Sequence, residues 1–154
     1  MQLAYTAADG SVAVVIGAPR GQIERSLGKS LTDAEYREIV RSTVPAGVQS
    51  VALPDGAAHD RTFRNAWTLN GSTIECDMVK ARDIHRDRLR KARAPLLAEL
   101  DIEYQRADES GDNEKKRDIA RRKQALRDVT ADPDIEAADT PAALKLVMPR
   151  ALID

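Results

Sequence analysis

The chain has 154 residues, and its 24 basic and 25 acidic side chains leave a net charge of −1. A near-neutral chain has no long-range pull on nucleic acid, and one tryptophan, three tyrosines and one phenylalanine supply neither a base-stacking platform nor an aromatic-lined pocket. The longest apolar run, residues 12–16, is far short of the roughly 20 residues that span a bilayer, and the single Cys76 excludes internal disulfides and cysteine-based zinc sites. The expectation is a soluble protein kept inside the cell, of one domain or a small domain with an appendage, without a membrane partner or a cofactor.

Residues 2–6 and 12–16 read as two strands joined at Asp9-Gly10, a pair that tolerates positive φ. The stretch that follows ends in Gly28-Lys29-Ser30, the close of a phosphate-cradling loop. In such a loop the first glycine falls at position 23, which here is Ile23, and a β-branched residue does not give the close backbone approach that phosphate needs. Residues 21–27 instead read as a short amphipathic helical turn. Thr32-Asp33-Ala34-Glu35 is a capping-box signature, and Tyr36, Ile39 and Val40 follow at helical spacing up to Pro45-Ala46-Gly47.

Residues 48–53 read as a strand stopped by Pro54-Asp55-Gly56. Residues 63–69 and 72–77 flank Asn70-Gly71, the strongest short hairpin signal in the chain. Phe63 and Trp67, with Leu69 and Ile74, are expected to anchor the core under that hairpin. The first half is thus a small unit of about five strands and one or two helices, ending near residue 77.

From Met78 the pattern changes. Ala81, His85, Leu89, Ala92, Leu96, Leu100, Tyr104 and Ala107 recur at steps of three and four, which predicts a long amphipathic helix. Pro95 interrupts the run, so two shorter helices meeting near residue 94 are the competing description. Ser110-Gly111-Asp112 is a stop and a new N-cap, and Ile119, Lys123, Leu126 and Val129 mark a second helix. The first helix ends acidic and the second starts basic, each the wrong way round for its own dipole. Antiparallel folding about Gly111 sets those charges opposite each other, and likewise the basic residues 86–93 opposite the acidic residues 128–139. After Asp132-Pro133, Thr140-Pro141 is an N-cap with proline at the first helical position, so a short last helix is expected before Pro149.

The fold expected is α+β, with a mixed strand and helix domain over residues 1–77, then a charged antiparallel helical hairpin and a short C-terminal helix over residues 78–154. Leu89, Leu96, Leu100 and Tyr104 form a stripe with two readings, the chain's own core or a dock for a partner helix.

Chemistry-bearing patterns are sparse. His85-Arg86-Asp87 matches the catalytic tripeptide of protein kinases, but no glycine-rich loop or metal-binding aspartate accompanies it, and His85 sits on an apolar helix stripe. His59 and His85 are the only histidines, and the carboxylates are spread along helices as on a solvated face, so no metal site or catalytic pair is expected. Residues 80–93 hold seven lysines and arginines against Asp83 and Asp87, a helix able to lie on phosphates. Cys76 reads as a small strand residue.

Three stretches carry a resemblance: Val44-Pro45-Ala46-Gly47-Val48, the run from Asp60-Arg61-Thr62-Phe63-Arg64-Asn65-Ala66-Trp67 into the long helix, and Lys123-Gln124-Ala125-Leu126-Arg127-Asp128 followed by Thr140-Pro141. The chain resembles small accessory proteins encoded with the tail-fibre genes of tailed bacteriophages, and its C-terminal region is similar to that of phage tail-fibre assembly proteins. The resemblance implies a virion tail component of the fibre or baseplate region, made in the host cytoplasm and acting by protein–protein docking. It carries no catalytic motif, and a non-enzymatic protein is expected. Partners on this reading are tail-fibre or baseplate proteins, with self-association open. The alternatives are an assembly chaperone that leaves the finished particle and a nucleic-acid-binding regulator using residues 80–93.

Overall fold

The structure is a computed structural model that describes residues 1–54 and 60–153. His59 and the turn proposed at Asp55-Gly56 lie outside the described residues. The chain divides into two compact units, Met1–Asp77 and Met78–Asp154. Among the described residues unit 1 holds all five strands together with two helices, the later elements are helical, and the class is α+β.

In unit 1, strands β1 (Gln2–Thr6), β2 (Val12–Ile16) and β3 (Ser50–Leu53) form an antiparallel sheet in the order β2-β1-β3. Gly10 takes φ 80° in the β1–β2 turn, where Asp9 Oδ1 accepts from the Ser11 N–H at 3.0 Å. Leu3 stands level with Val15 and Ala52, and Ala4 with Val14 and Val51, so the sheet is apolar on both faces. Helix α1 (Arg20–Leu27) ends at Gly28, whose φ of 67° is the left-handed cap. The Gly-Lys-Ser tripeptide therefore follows a helix C-terminus, where the dipole disfavours anions. Helix α2 (Asp33–Arg41) carries the expected capping box, with Thr32 Oγ1 accepting from the Glu35 N–H and Glu35 accepting from the Thr32 N–H. The Thr32 N–H, then Lys29 Nζ at 2.9 Å and the Thr32 hydroxyl, all donating to the carboxylate, hold the Glu35 carboxyl down to about 2. Val40 and Val44 pack with Leu3, flanked by Tyr5, Val15 and Tyr36.

The second sheet is the hairpin β4 (Trp67–Asn70) and β5 (Thr73–Cys76). Asn70 remains a strand residue opposite Thr73, and Gly71 takes the positive φ of 58°. The sequence also placed residues 63–66 in a strand, and the structure corrects this. Arg61–Ala66 is a 3-10 turn, because the Asp60 carboxylate accepts from the Thr62 N–H at 2.9 Å and caps a helical start. Trp67, Leu69 and Ile74 then pack on Ala4, Val12 and Leu53, on the sheet face opposite α2.

Unit 2 is built on α3 (Met78–Glu109) and α4 (Asn113–Asp128), joined through Gly111 at φ 70°. Pro95 lies inside α3, which continues through it as one helix of 32 residues. Asp112 caps α4 by accepting from the Lys115 N–H at 2.9 Å. Two short helices follow, α5 (Pro133–Ala137) and α6 (Pro141–Leu146), each with proline in its first turn and a side-chain N-cap from Asp132 and Thr140. Only the second was read from the sequence. A last 3-10 turn, Arg150–Leu152, brings Ala151 and Leu152 onto the hairpin core of Leu100, Ala107, Ile119 and Leu126.

Candidate docking surfaces

The charge pattern of the hairpin meets as the sequence implied. Lys116 pairs with Asp108 and Lys123 with Asp101, and Arg122 stands 3.9 Å from Glu103. Both lysines also lie over the Tyr104 ring, at 5.6 and 5.4 Å from its centroid. Tyr104 is thereby covered by its own hairpin.

The basic first half of α3 acts in a way that charge counting does not show. Arg93 donates to the carbonyls of Leu126 and Arg127, at the C-terminal end of α4. Arg82 donates to the carbonyls of Ile135, Glu136 and Ala138, at the end of α5. Arg86 pairs with Glu136 and Asp83. The guanidinium groups thus satisfy orphan carbonyls at two helix C-termini, where the helix dipoles also favour a cation.

The residues proposed for docking fall into place as follows. Phe63 is 2% exposed on the 3-10 turn, and Trp67 is half-buried in the hairpin cluster. Leu89 and Leu100 are buried, and Leu96 and Tyr104 pack partly covered against the Ile119 cluster. Leu96, Leu100 and Tyr104 therefore pack with α4 and the C-terminal turn inside unit 2, Leu96 and Leu100 also reaching the cleft described below, and Leu89 is buried. What unit 2 leaves open was not singled out from sequence. Leu146 is 81% exposed, Met148 54% and Ile153 68%. Ile153 lines a cleft of about 660 Å³ between α3, α4 and the last turn, with the buried Leu100 and Leu126 and the partly buried Leu96 at its floor and the exposed Glu99 and Arg122 and the partly exposed Glu103 at its rim. The signal that was available is the apolar series Leu144, Leu146, Met148, of which only Leu144 turns fully inward.

His85 is buried on α3, with its Nε2–H donating to the Val147 carbonyl at 3.0 Å. Burial lowers its pKa, the Val147 carbonyl opposes this, and the Arg88 charge adds to the lowering. The unfolded chain then binds the proton first, so the contribution of His85 is present above the ordinary imidazole value near 6.5 and is lost as pH falls toward its depressed folded value. His85→Gln is expected to flatten the pH dependence of stability below pH ~6.5. Denaturation midpoints of both proteins across that range test this, and parallel profiles would refute it. Burial first, and Asp77 second, raise the Cys76 thiol on β5, which disfavours a reactive thiolate.

Among the described residues no cluster of three or more histidine, cysteine or carboxylate groups is placed to hold a metal, and no helix is long and apolar enough to cross a membrane. No family model, no curated protein and no solved structure matches the chain.

Proposed function

We propose that this chain is a bacteriophage tail protein, a small structural or adaptor component of the fibre or baseplate region that works by docking on other tail proteins. The observation that carries the docking is the exposed apolar C-terminal segment of unit 2: Leu146 and Met148 stand exposed, and Ile153, exposed too, lines a cleft with an apolar floor and charged residues at its rim. The likeness of residues 44–112 and 123–149 to accessory proteins of tail-fibre modules supplies the tail partner. Phe63, Leu89 and Leu100 are anchors of the units in this reading, and the contact surface is the C-terminal segment.

Quantitative mass spectrometry of purified, nuclease-treated particles tests the reading. The expected result is a fixed ratio to the fibre and sheath proteins, in multiples of the tail symmetry, that is lost for Leu146→Ser/Met148→Ser although that variant folds. The second reading, an assembly chaperone that departs, rests on the similarity of the Thr140-Pro141 region to fibre assembly proteins. It predicts abundance in the infected-cell lysate and absence from particles. Nucleic-acid binding by residues 80–93 has less support, because Arg82, Arg86 and Arg93 already engage carbonyls and carboxylates of their own chain.

A further inference from the structure

A second surface lies on unit 1 and follows from where α2 sits on the sheet. The helix is drawn toward β2: Tyr36 donates its hydroxyl to the Ala18 carbonyl at 3.0 Å. Gly17, just past β2, lies so close to Val40 that a Cβ there would be 2.5 Å from Cγ2. The other end strand, β3, is left uncovered on the same face. Ser50 and Ala52 share that face with Tyr5 and Leu3, and Ala52 is exposed. A cleft of about 720 Å³ lies between α2 and β3, and a second of about 610 Å³ continues it at the connection of residues 42–49, with Glu38 and Arg41 lining both.

The seam has the two components of strand-addition recognition. One is backbone: β3 ends the sheet, and among the described residues its outer edge makes no hydrogen bond, so alternate residues of β3, those not bonded to β1, present open donors and acceptors. The other is charge. Asp33 is held by Arg20 at 2.6 Å, whereas Arg37 and Arg41, one turn apart on α2, form no ion pair among the described residues. Among the described residues lining the two clefts, Glu38 is then the open carboxylate against two guanidinium groups.

We propose that this seam takes an extended acidic segment of a partner protein, added as a strand beside β3, with carboxylates at alternate positions pairing with Arg37 and Arg41. Alternation is required because successive side chains of an added strand point to opposite faces, and only one face meets α2. A second copy of β3 suits the seam less. Residues Ser50–Leu53 carry no carboxylate, and antiparallel self-pairing sets the arginines of the two copies against each other. The inference names the chemistry of a surface on unit 1 and stands independently of the tail reading, which rests on unit 2.

The test is a titration of the isotope-labelled full chain with a short capped peptide alternating threonine and glutamate, with its threonine–lysine counterpart as control. The glutamate peptide is expected to shift the amides of Ser50–Leu53, to protect from exchange the alternate ones that face away from β1, and to shift those of α2. Methylating alternate peptide nitrogens should abolish the effect. Arg37→Glu/Arg41→Glu should weaken glutamate-peptide binding about tenfold and turn the preference to the lysine peptide, a gain that a misfolded variant does not show. Three results would overturn the proposal: unmoved edge amides, equal binding of the two peptides by the native chain, or edge shifts that follow protein concentration alone.

Discussion

Arg82→Met is expected to destabilise unit 2 by about 2 to 4 kcal/mol, because one guanidinium group serves three carbonyls that have no other donor in the helix they end. Methionine keeps the apolar stem and removes the donors, so the loss reports the hydrogen bonds rather than the packing. The ion pair to Glu136 at 3.6 Å adds little, since that carboxylate is largely exposed. Arg82→Lys should recover only part of the stability, because a compact ammonium does not reproduce the planar fork that reaches Ile135, Glu136 and Ala138 together. Urea denaturation followed by helical ellipticity gives the midpoints. A midpoint for Arg82→Met equal to that of the native chain would show that α5 is held without this residue.

Ile119→Ala carries the other large effect, a loss of about 2 to 5 kcal/mol. Ile119 is 1% exposed and sits among Leu100, Ala107 and Leu126, where the two long helices and the C-terminal turn meet. Truncation removes buried methylene groups and leaves a cavity that three separate elements would have to collapse to fill. Ile119→Val should cost only about 1 kcal/mol, and Ile102→Ala, at a half-exposed position of α3, close to nothing. The same denaturation series reads all three. Equal losses at positions 119 and 102 would contradict the core described for the hairpin.

How much of this was legible in the sequence depends on the range over which each element is determined. The capping box at Thr32 and the helix start at Thr140-Pro141 are local, and they stand where local chemistry puts them; the hairpin forms too, but its turn is Gly71-Ser72, one residue later than the Asn70-Gly71 signal, with Asn70 paired in the strand. The antiparallel hairpin was legible at longer range, because misplaced charges along α3 and α4 have one arrangement that relieves them. Residues 63–66 were misread because Phe63 and Trp67 carry strand propensity, while the Asp60 cap that starts a helical turn acts from outside the apolar pattern. The roles of Arg82 and Arg93 were hidden because their acceptors are backbone carbonyls, which no side-chain pattern reveals. The seam along β3 depends on strand order, and the hydrophobic alternation of β1, β2 and β3 does not state which of them lies in the middle.

The tight link at Gly111 has a consequence for how the chain acquires its structure. Contacts between α3 and α4 begin across a few residues and zip outward from the bend, so the ring of Tyr104 meets Lys116 after only a short loop has closed. The β1–β3 ladder instead joins Gln2 to Leu53, and β2, α1 and α2 all lie in between. Loop-closure entropy falls much more heavily on that pairing, which places the two halves of one chain at different points on the relation between contact order and folding rate. On that relation the helical half is expected to form ahead of the strand-bearing half, and the edge of β3 exists only once the β1–β3 ladder has closed.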